Sequence, residues 1–351
     1  MVDRDLCRGP AQRACPHIGY AAPRMRVAIT GASGLVGGNL AAELVGQGHE
    51  VHAIRRAGGN VAQLADLPIT WHDGDLADTA AMTRAFEGAA GVFHCAAAVS
   101  VERDVTPAMT AANVTGTANV IEACVAAGVA RLVHCSSVVA IGLSTDGTPC
   151  DETARWNFDE LGLVDAYAIT KRQAEDLVEQ ARDRLDCVVV NPTYMFGPRD
   201  ARPSSGKLII QVAKRRVPGS TPGYNNFVDV RDVARGMILA WQKGKRGERY
   251  ILGGHDMTYA ECFRRIAAVA GVKPPRFEIP HPLAKLIGRA GDLVEKLGKD
   301  PLVNSTQIRY AFTDKFRFTS AKAQQELGYT IGPLEVAIAD AIAWFRSQNM
   351  L

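Results

Sequence analysis

Arg26-Val27-Ala28-Ile29-Thr30-Gly31-Ala32-Ser33-Gly34-Leu35-Val36-Gly37 is the stretch that decides the fold of this chain. Five residues of strand character run directly into a G-x-x-G-x-x-G loop, and the apolar period of a helix begins at Leu35. Glycine at position 31 permits the tight turn, Gly34 lets backbone approach a pyrophosphate, and Gly37 lets helix and strand pack closely. The N–H groups and dipole at the start of the helix, framed by Ser33, Leu35 and Val36, favour phosphate charge. The stretch therefore predicts a dinucleotide-binding βα unit.

Working outward, the same alternation repeats. Strands are expected at 26–30, 50–54, 69–72, 91–95, 131–136 and 187–191, with helices at 35–46, 79–86, 107–127 and 164–184 between them. This order predicts an α/β fold, a Rossmann-type doubly wound parallel sheet with helices on both faces. After Pro192 the regularity fades into Gly197-Pro198, Pro203, Pro218, Pro222-Gly223, Pro274-Pro275, Pro280 and Pro282. A dinucleotide-binding domain is expected over 25–192. A smaller C-terminal substrate-binding region follows over 193–351, with elements returning to the first domain. Residues 1–24 mix Arg4, Arg8, Arg13 and Arg24 with Asp3 and Asp5, lack an apolar block, and are expected to be a disordered extension.

Composition excludes several classes. The 351 residues are 47% hydrophobic and 22% charged, which suits a globular protein. Forty Lys and Arg against 37 Asp and Glu leave a formal charge of +3, which calls for no nucleic-acid partner. The charge is uneven, −8 over residues 1–200 and +11 over 201–351, marking either an anion site or a solvated basic face. No apolar run is long enough for a membrane span. Eight cysteines without a C-x-x-C pair, three of them (Cys95, Cys135, Cys187) inside apolar runs, indicate a reduced compartment and hence the cytoplasm. No histidine spacing suggests a metal, so none is expected.

The chemistry concentrates at strand ends. An acidic residue that reads the ribose is expected after the second strand, yet Arg55-Arg56 stands there. Two guanidinium groups suit a 2′-phosphate, so NADP is the expected cofactor, with NAD as the alternative. Gly74-Asp75-Leu76 places a carboxylate where an adenine amino group is read. Tyr167-Ala168-Ile169-Thr170-Lys171 puts Tyr167 and Lys171 on one helix face, where an ammonium favours the phenolate. The strand ending Cys135-Ser136-Ser137 supplies hydroxyls at the edge where open α/β sheets hold ligands.

Glycine loop, strand-end serine and Y-x-x-x-K in this order resemble the extended short-chain dehydrogenase/reductase family, also called the NAD-dependent epimerase/dehydratase family. The likeness runs from Met25 to Leu351 and includes His94-Cys95-Ala96-Ala97, Asn113-Val114-Thr115-Gly116-Thr117, Asn191-Pro192-Thr193 and Phe227-Val228-Asp229. The details look closest to the branch of dihydroflavonol-reductase-like and hopanoid-associated sugar-epimerase-like proteins. The resemblance implies that Ser137 holds the substrate oxygen, Tyr167 is the acid/base, and Lys171 binds the nicotinamide ribose and lowers the tyrosine pKa. Ser136 competes for the serine role, and counting back from Gly142 favours Ser137. Ala96, Ala97, Asn113, Pro192 and Thr193 are implied around the cofactor together with Leu76.

Two departures from the family pattern bear on function. The carboxylate typical of NAD-using epimerases is missing at Ile54, and the Arg-Asp pair of nucleotide-sugar enzymes reads Asn225-Asn226. The expected activity is NAD(P)-dependent hydride transfer to or from a carbonyl or secondary alcohol of a bulky apolar or amphipathic small molecule. The alternatives are a nucleotide-sugar epimerase or dehydratase with retained cofactor and, on the same fold, a non-catalytic dinucleotide sensor. Leu283, Leu286, Ile287, Ala290, Leu293, Val294 and Leu297 recur at helical spacing, either as ordinary core or as the cap of an apolar pocket. Members of the family often dimerise through the two helices that here carry Asn113 and Tyr167, which makes a homodimer an open expectation.

Overall fold

The computed structural model describes residues 23–99, 104–297 and 303–351. The extension expected over 1–24 lies outside the described residues except for Pro23 and Arg24. Seven strands form one parallel sheet: β1 (Arg26–Thr30), β2 (Glu50–Arg55), β3 (Ile69–Asp73), β4 (Gly91–His94), β5 (Leu132–Cys135), β6 (Cys187–Pro192) and β9 (Arg249–Leu252). Their order is β3-β2-β1-β4-β5-β6-β9, so the sheet reverses direction between β1 and β4. At that reversal the loops after β1 and β4 diverge to opposite faces and open a crevice at the strand ends. A parallel sheet is covered on both faces, and β6 is accordingly buried at every position.

Helices α1 (Leu35–Gly46) and α7 (Val230–Lys243) cover one face, over a core that includes Ile29, Leu40, Val133 and Met237. Helices α2 (Thr79–Phe86), α4 (Gly116–Ala126) and α5 (Ala166–Gln180) cover the other, over Met82, Phe86, Val120 and Val178. Several helices begin on an acidic or amide cap. Asp78 accepts from Ala81 N at 2.8 Å to start α2, and Asp165 accepts from Ala168 N at 2.7 Å to start α5.

The helix expected over 107–127 runs unbroken from Pro107 to Ala126, with one widened stretch. A short α3 (Pro107–Met109) passes into a π-turn over Thr110–Thr115 before α4 begins. The widened turn rotates Asn113 inward, where Thr117 Oγ1 bonds its carbonyl at 2.6 Å.

Beyond Pro192 the chain builds a second sheet of β7 (Tyr194–Phe196), β8 (Tyr224–Asp229) and β10 (His255–Thr258), in the order β10-β8-β7. Helices α6 (Gly206–Ala213), α8 (Tyr259–Ala270) and α11 (Leu334–Ser347) pack around it on Phe196, Phe227, Ile338 and Phe345. Helices α9 (His281–Lys296) and α10 (Ser305–Phe312) form a pair, and α10 ties back to α5: Tyr310 Oη donates to Asp165 Oδ2 at 2.6 Å. That bond links the C-terminal region to the cap of the helix bearing Tyr167.

Candidate active site

The glycine loop is a cradle shaped by close backbone approach. Gly31 sits at φ +74°, and a Cβ there would lie 2.4 Å from Ala96 N, so only glycine permits this contact between the β1 and β4 ends. A Cβ on Gly37 would lie 2.3 Å from Gly31 O and 2.8 Å from Ala32 Cα. Gly34 N donates to Gly31 O at 3.0 Å, which leaves Ser33 and Gly34 exposed at the start of α1. Leu35 and Val36 follow half-buried. This arrangement, narrow in backbone and open in front of a helix N-terminus, fits a dinucleotide pyrophosphate. Thr193 Oγ1, at the end of β6, is a buried hydroxyl without a partner, a second feature that suits a bound group there.

The ends of β2 and β3 modify the sequence reading. Arg55 Nε donates to Asp73 Oδ1 at 2.9 Å, and its guanidinium stands 5.8 Å from the Trp71 ring centre. Arg55 is thus already paired by its neighbour strand, and Arg56 presents the exposed guanidinium. Asp75 is exposed and caps Ala77 N at 3.0 Å, while Leu76 packs against Gly116 and its carbonyl accepts from Asn119 Nδ2 at 2.8 Å. Asn113 departs from the expectation of a cofactor contact. Its Oδ1 accepts from Ala98 N (2.7 Å), and its Nδ2 donates to Ala98 O (2.9 Å) and Thr170 Oγ1 (3.0 Å). Three of the four hydrogen-bonding positions of the amide are used inside the protein, so Asn113 pins the Ala96–Ala98 loop to α5.

Ser137, Tyr167 and Lys171 meet beyond the end of β5. The Tyr167 and Ser137 side chains are neighbours, and Lys171, only 4% exposed, donates from Nζ to Cys135 O at 2.8 Å. Ser136 faces the other way and donates to Glu175 Oε2 at 2.5 Å. Tyr167 keeps part of its surface open, yet protein encloses the phenol and burial raises its pKa above the usual value; the neighbouring Ser137 hydroxyl opposes that rise. The Lys171 ammonium is held by the Cys135 carbonyl, one helical turn along α5 from Tyr167. Burial also lowers the Lys171 pKa, and the charges of Cys135, Cys95 and Glu175 resist that.

Glu175 is the residue that sequence reading missed. It lies one turn beyond Lys171 on the same stripe of α5 and is almost fully buried. Its Oε2 also accepts from Asn191 Nδ2 at 2.9 Å, its Oε1 stands 3.2 Å from Arg249 Nη1, and burial raises its pKa. Asn191 Nδ2 in turn donates to Ser137 O at 3.0 Å. The i, i+4, i+8 spacing of Tyr167, Lys171 and Glu175 was the available signal.

The expected clamp position and the charge asymmetry resolve differently. Asn225 Nδ2 donates to Tyr259 Oη, and Asn226 bridges Asp256 Oδ1 and Gly254 N, so both amides are structural. Three of the arginines after residue 200 are held in ion pairs: Arg231 with Asp229 and Asp340, Arg235 with Asp232 and Glu43, and Arg265 with Glu261 and Glu335. Lys214-Arg215-Arg216 is exposed just beyond α6. Among the described residues no helix is long and apolar enough to cross a membrane, and no acid, histidine and cysteine cluster could hold a metal.

Asp200, on the loop before α6, is 3% exposed and accepts from Gly206 N at 3.1 Å. Burial pushes its pKa up from 3.8 to about 6. A carboxyl raised in the fold stabilises it while protonated, so its contribution is full below about pH 4 and is lost as pH rises through about 6. The loss is on the order of 3 kcal/mol. Asp200→Asn is expected to match the parent protein in urea unfolding at pH 4 and to exceed it by about that amount at pH 7. Equal midpoints at both pH values would contradict this.

The fold and the cradle define a Rossmann-type dinucleotide enzyme, an NAD(P)-dependent oxidoreductase. Residues 27–253 match the NAD dependent epimerase/dehydratase family, and the chain belongs to it. Among its relatives, a Synechocystis sp. protein provisionally named a dihydroflavonol 4-reductase is 34% identical over 328 residues, 92% of this chain and 94% of that protein. Sterol demethylase protein B of Methylococcus capsulatus is 34% identical over 332 residues, 93% of this chain and 100% of that protein. The crystal structure of gox2253 is similar with a TM-score of 0.80 at 34% identity, covering 93% of this chain and 100% of that one. A nucleoside-diphosphate-sugar epimerase from Pseudomonas aeruginosa follows at 0.75 and 26% identity, covering 93% and 99%.

Proposed function

We propose that the protein reduces a carbonyl, or oxidises the matching secondary alcohol, on a bulky apolar or amphipathic small molecule, with NADPH and NADP+ as its preferred pair. The observation that carries this reading is the meeting of Ser137, Tyr167 and Lys171 beside a cradle in which Gly31 and Gly37 leave no room for a Cβ. The nicotinamide supplies or receives the hydride when bound. Ser137 Oγ holds the substrate oxygen, and Tyr167 delivers the proton to it in reduction or removes it in oxidation. Burial keeps the Tyr167 proton in place at neutral pH, which suits a donor that acts only as negative charge develops on the oxygen. Lys171 binds the nicotinamide ribose through the ammonium that now faces the Cys135 carbonyl.

Support for a non-nucleotide substrate comes from Asn225 and Asn226, whose amides are spent within the protein. The relatives named for a flavonoid reductase and a sterol demethylase point the same way. The test is NADPH oxidation with hydrophobic ketones and aldehydes, run beside titrations of UDP-, GDP- and dTDP-sugars. Turnover of the carbonyls is expected. Micromolar sugar-nucleotide binding with epimerisation and no net NADPH use would replace this reading by the epimerase one.

Cofactor choice is tested separately. One charge-assisted contact from a guanidinium to the 2′-phosphate contributes about 1.5–3 kcal/mol, a preference of about 10- to 150-fold for NADPH over NADH. Arg56→Ala is expected to remove most of that preference, and Arg55→Ala less of it, because Arg55 is held by Asp73. Equal dissociation constants for the two cofactors in the parent protein would show that both arginines serve only the surface.

A further inference from the structure

Helix α9 carries an apolar row that nothing in the described chain covers. Leu283, Leu286, Leu293 and Leu297 are 47%, 64%, 61% and 70% exposed, and the exposed Ala290 fills the gap between them. At 100° per residue these five positions fall within a sector of about 80°. These five positions are not core, contrary to the first sequence expectation, while Ile287 and Val294 of the same stripe are half-buried. The inward side is made of small residues instead. Ala284 is buried, and Cβ atoms on Gly288 and Gly291 would lie 3.0 Å from Ser305 Cα and 1.9 Å from Val303 O.

The charges of the helix are sorted as well. Its acids turn toward the start of α10: Asp292 Oδ1 accepts from Ser305 N at 2.8 Å, and Glu295 Oε2 from Asn304 Nδ2 at 3.2 Å. Lys285 and Arg289 are exposed on one edge of the leucine row, with no ion-pair partner among the described residues. Lys273 and Arg276 add exposed positive charge before the helix, against the exposed carboxylate of Glu278.

We propose that α9 docks on the surface of an anionic lipid bilayer. The four leucines enter the boundary between headgroups and acyl chains, and Lys285 and Arg289 meet headgroup phosphates. A large apolar row with a basic flank is the pattern of a helix that lies in the interface plane. A second copy of this chain fits less well, since a two-fold contact along the row would set the Lys285–Arg289 edge close to its own equivalent. Docking also places a membrane near the catalytic helix. Beneath α9, Tyr310 of α10 bonds both Leu163 O (3.0 Å) and Asp165, the cap of α5.

The test needs no catalysis. Full-length protein is sedimented with vesicles of phosphatidylcholine alone and of phosphatidylcholine mixed with phosphatidylglycerol, at low and high salt. Pelleting with the anionic vesicles, weakened by salt, is expected. L286S/L293S is expected to lower partitioning by about 100-fold or more. K285E/R289E is expected to bring anionic vesicles down to the phosphatidylcholine level. Both variants alter exposed side chains, so an unchanged thermal midpoint checks the fold. Failure of the parent protein to pellet with anionic vesicles, or undiminished pelleting of L286S/L293S, would overturn the proposal. So would a vesicle-free dimer that L286S/L293S dissociates in light scattering, which would assign the row to a second copy.

Discussion

Tyr167→Phe is expected to lower turnover by about 10²-fold or more while leaving cofactor affinity close to that of the parent protein. The substitution removes one oxygen and its proton with little change of volume, so the packing around the ring persists. What is lost is the hydroxyl beside Ser137 and the only proton the proposed mechanism sends to the substrate oxygen. Burial raises the Tyr167 pKa, so the parent protein holds the proton at neutral pH and no nearby group is placed to substitute for it. Lys171→Ala offers the contrast. It removes a 4% exposed ammonium bonded to Cys135 O and assigned to the ribose, so cofactor affinity is expected to fall together with turnover. Fluorescence titration with NADPH and single-turnover rates separate the two effects. A Tyr167→Phe enzyme with near-normal kcat would sink the assignment of the acid/base.

The second large effect belongs to Glu175. Replacing it by alanine is expected to cost about 1–3 kcal/mol of stability, because buried donors that bond its carboxylate are left without an acceptor. Arg249, which is partly exposed, loses its partner, and Ser136 Oγ and Asn191 Nδ2 lose the carboxylate oxygen they share. Asn191 also bonds Ser137 O, so loosening of the cluster reaches the serine beside Tyr167. Glu175→Gln keeps the shape and an acceptor for Ser136, and its loss is expected to be smaller. Urea denaturation of both variants decides the matter: equal, small losses would show that the cluster is incidental to the fold.

Locally determined features were legible from residues alone. The Gly31–Gly37 loop between strand and helix, the run of βα units, and the shared face of Tyr167 and Lys171 all follow from backbone permissiveness and from periods of 2 and 3.6. The pattern located β1 at Arg26–Thr30 and α2 at Thr79–Phe86, and it placed the ends of β2 to β6 within one residue. The π-turn that widens the 107–127 helix was not legible, because the inward position of Asn113 is fixed by bonds to Ala98 and Thr170.

By itself the sequence determined that this chain folds as a doubly wound sheet with a dinucleotide loop and a tyrosine–lysine helix. Only the tertiary structure decided how the polar groups around that site are spent. Arg55 is bound to Asp73, Asn113 is closed upon Ala98, and Glu175 joins Ser136, Asn191 and Arg249. Only the tertiary structure, too, turned Ala284, Gly288 and Gly291 inward and left the leucines of α9 facing out. The physical reason is common to all of these. Helical or strand period says which side chains share a face, but the partner that face meets comes from distant parts of the chain, and packing decides it.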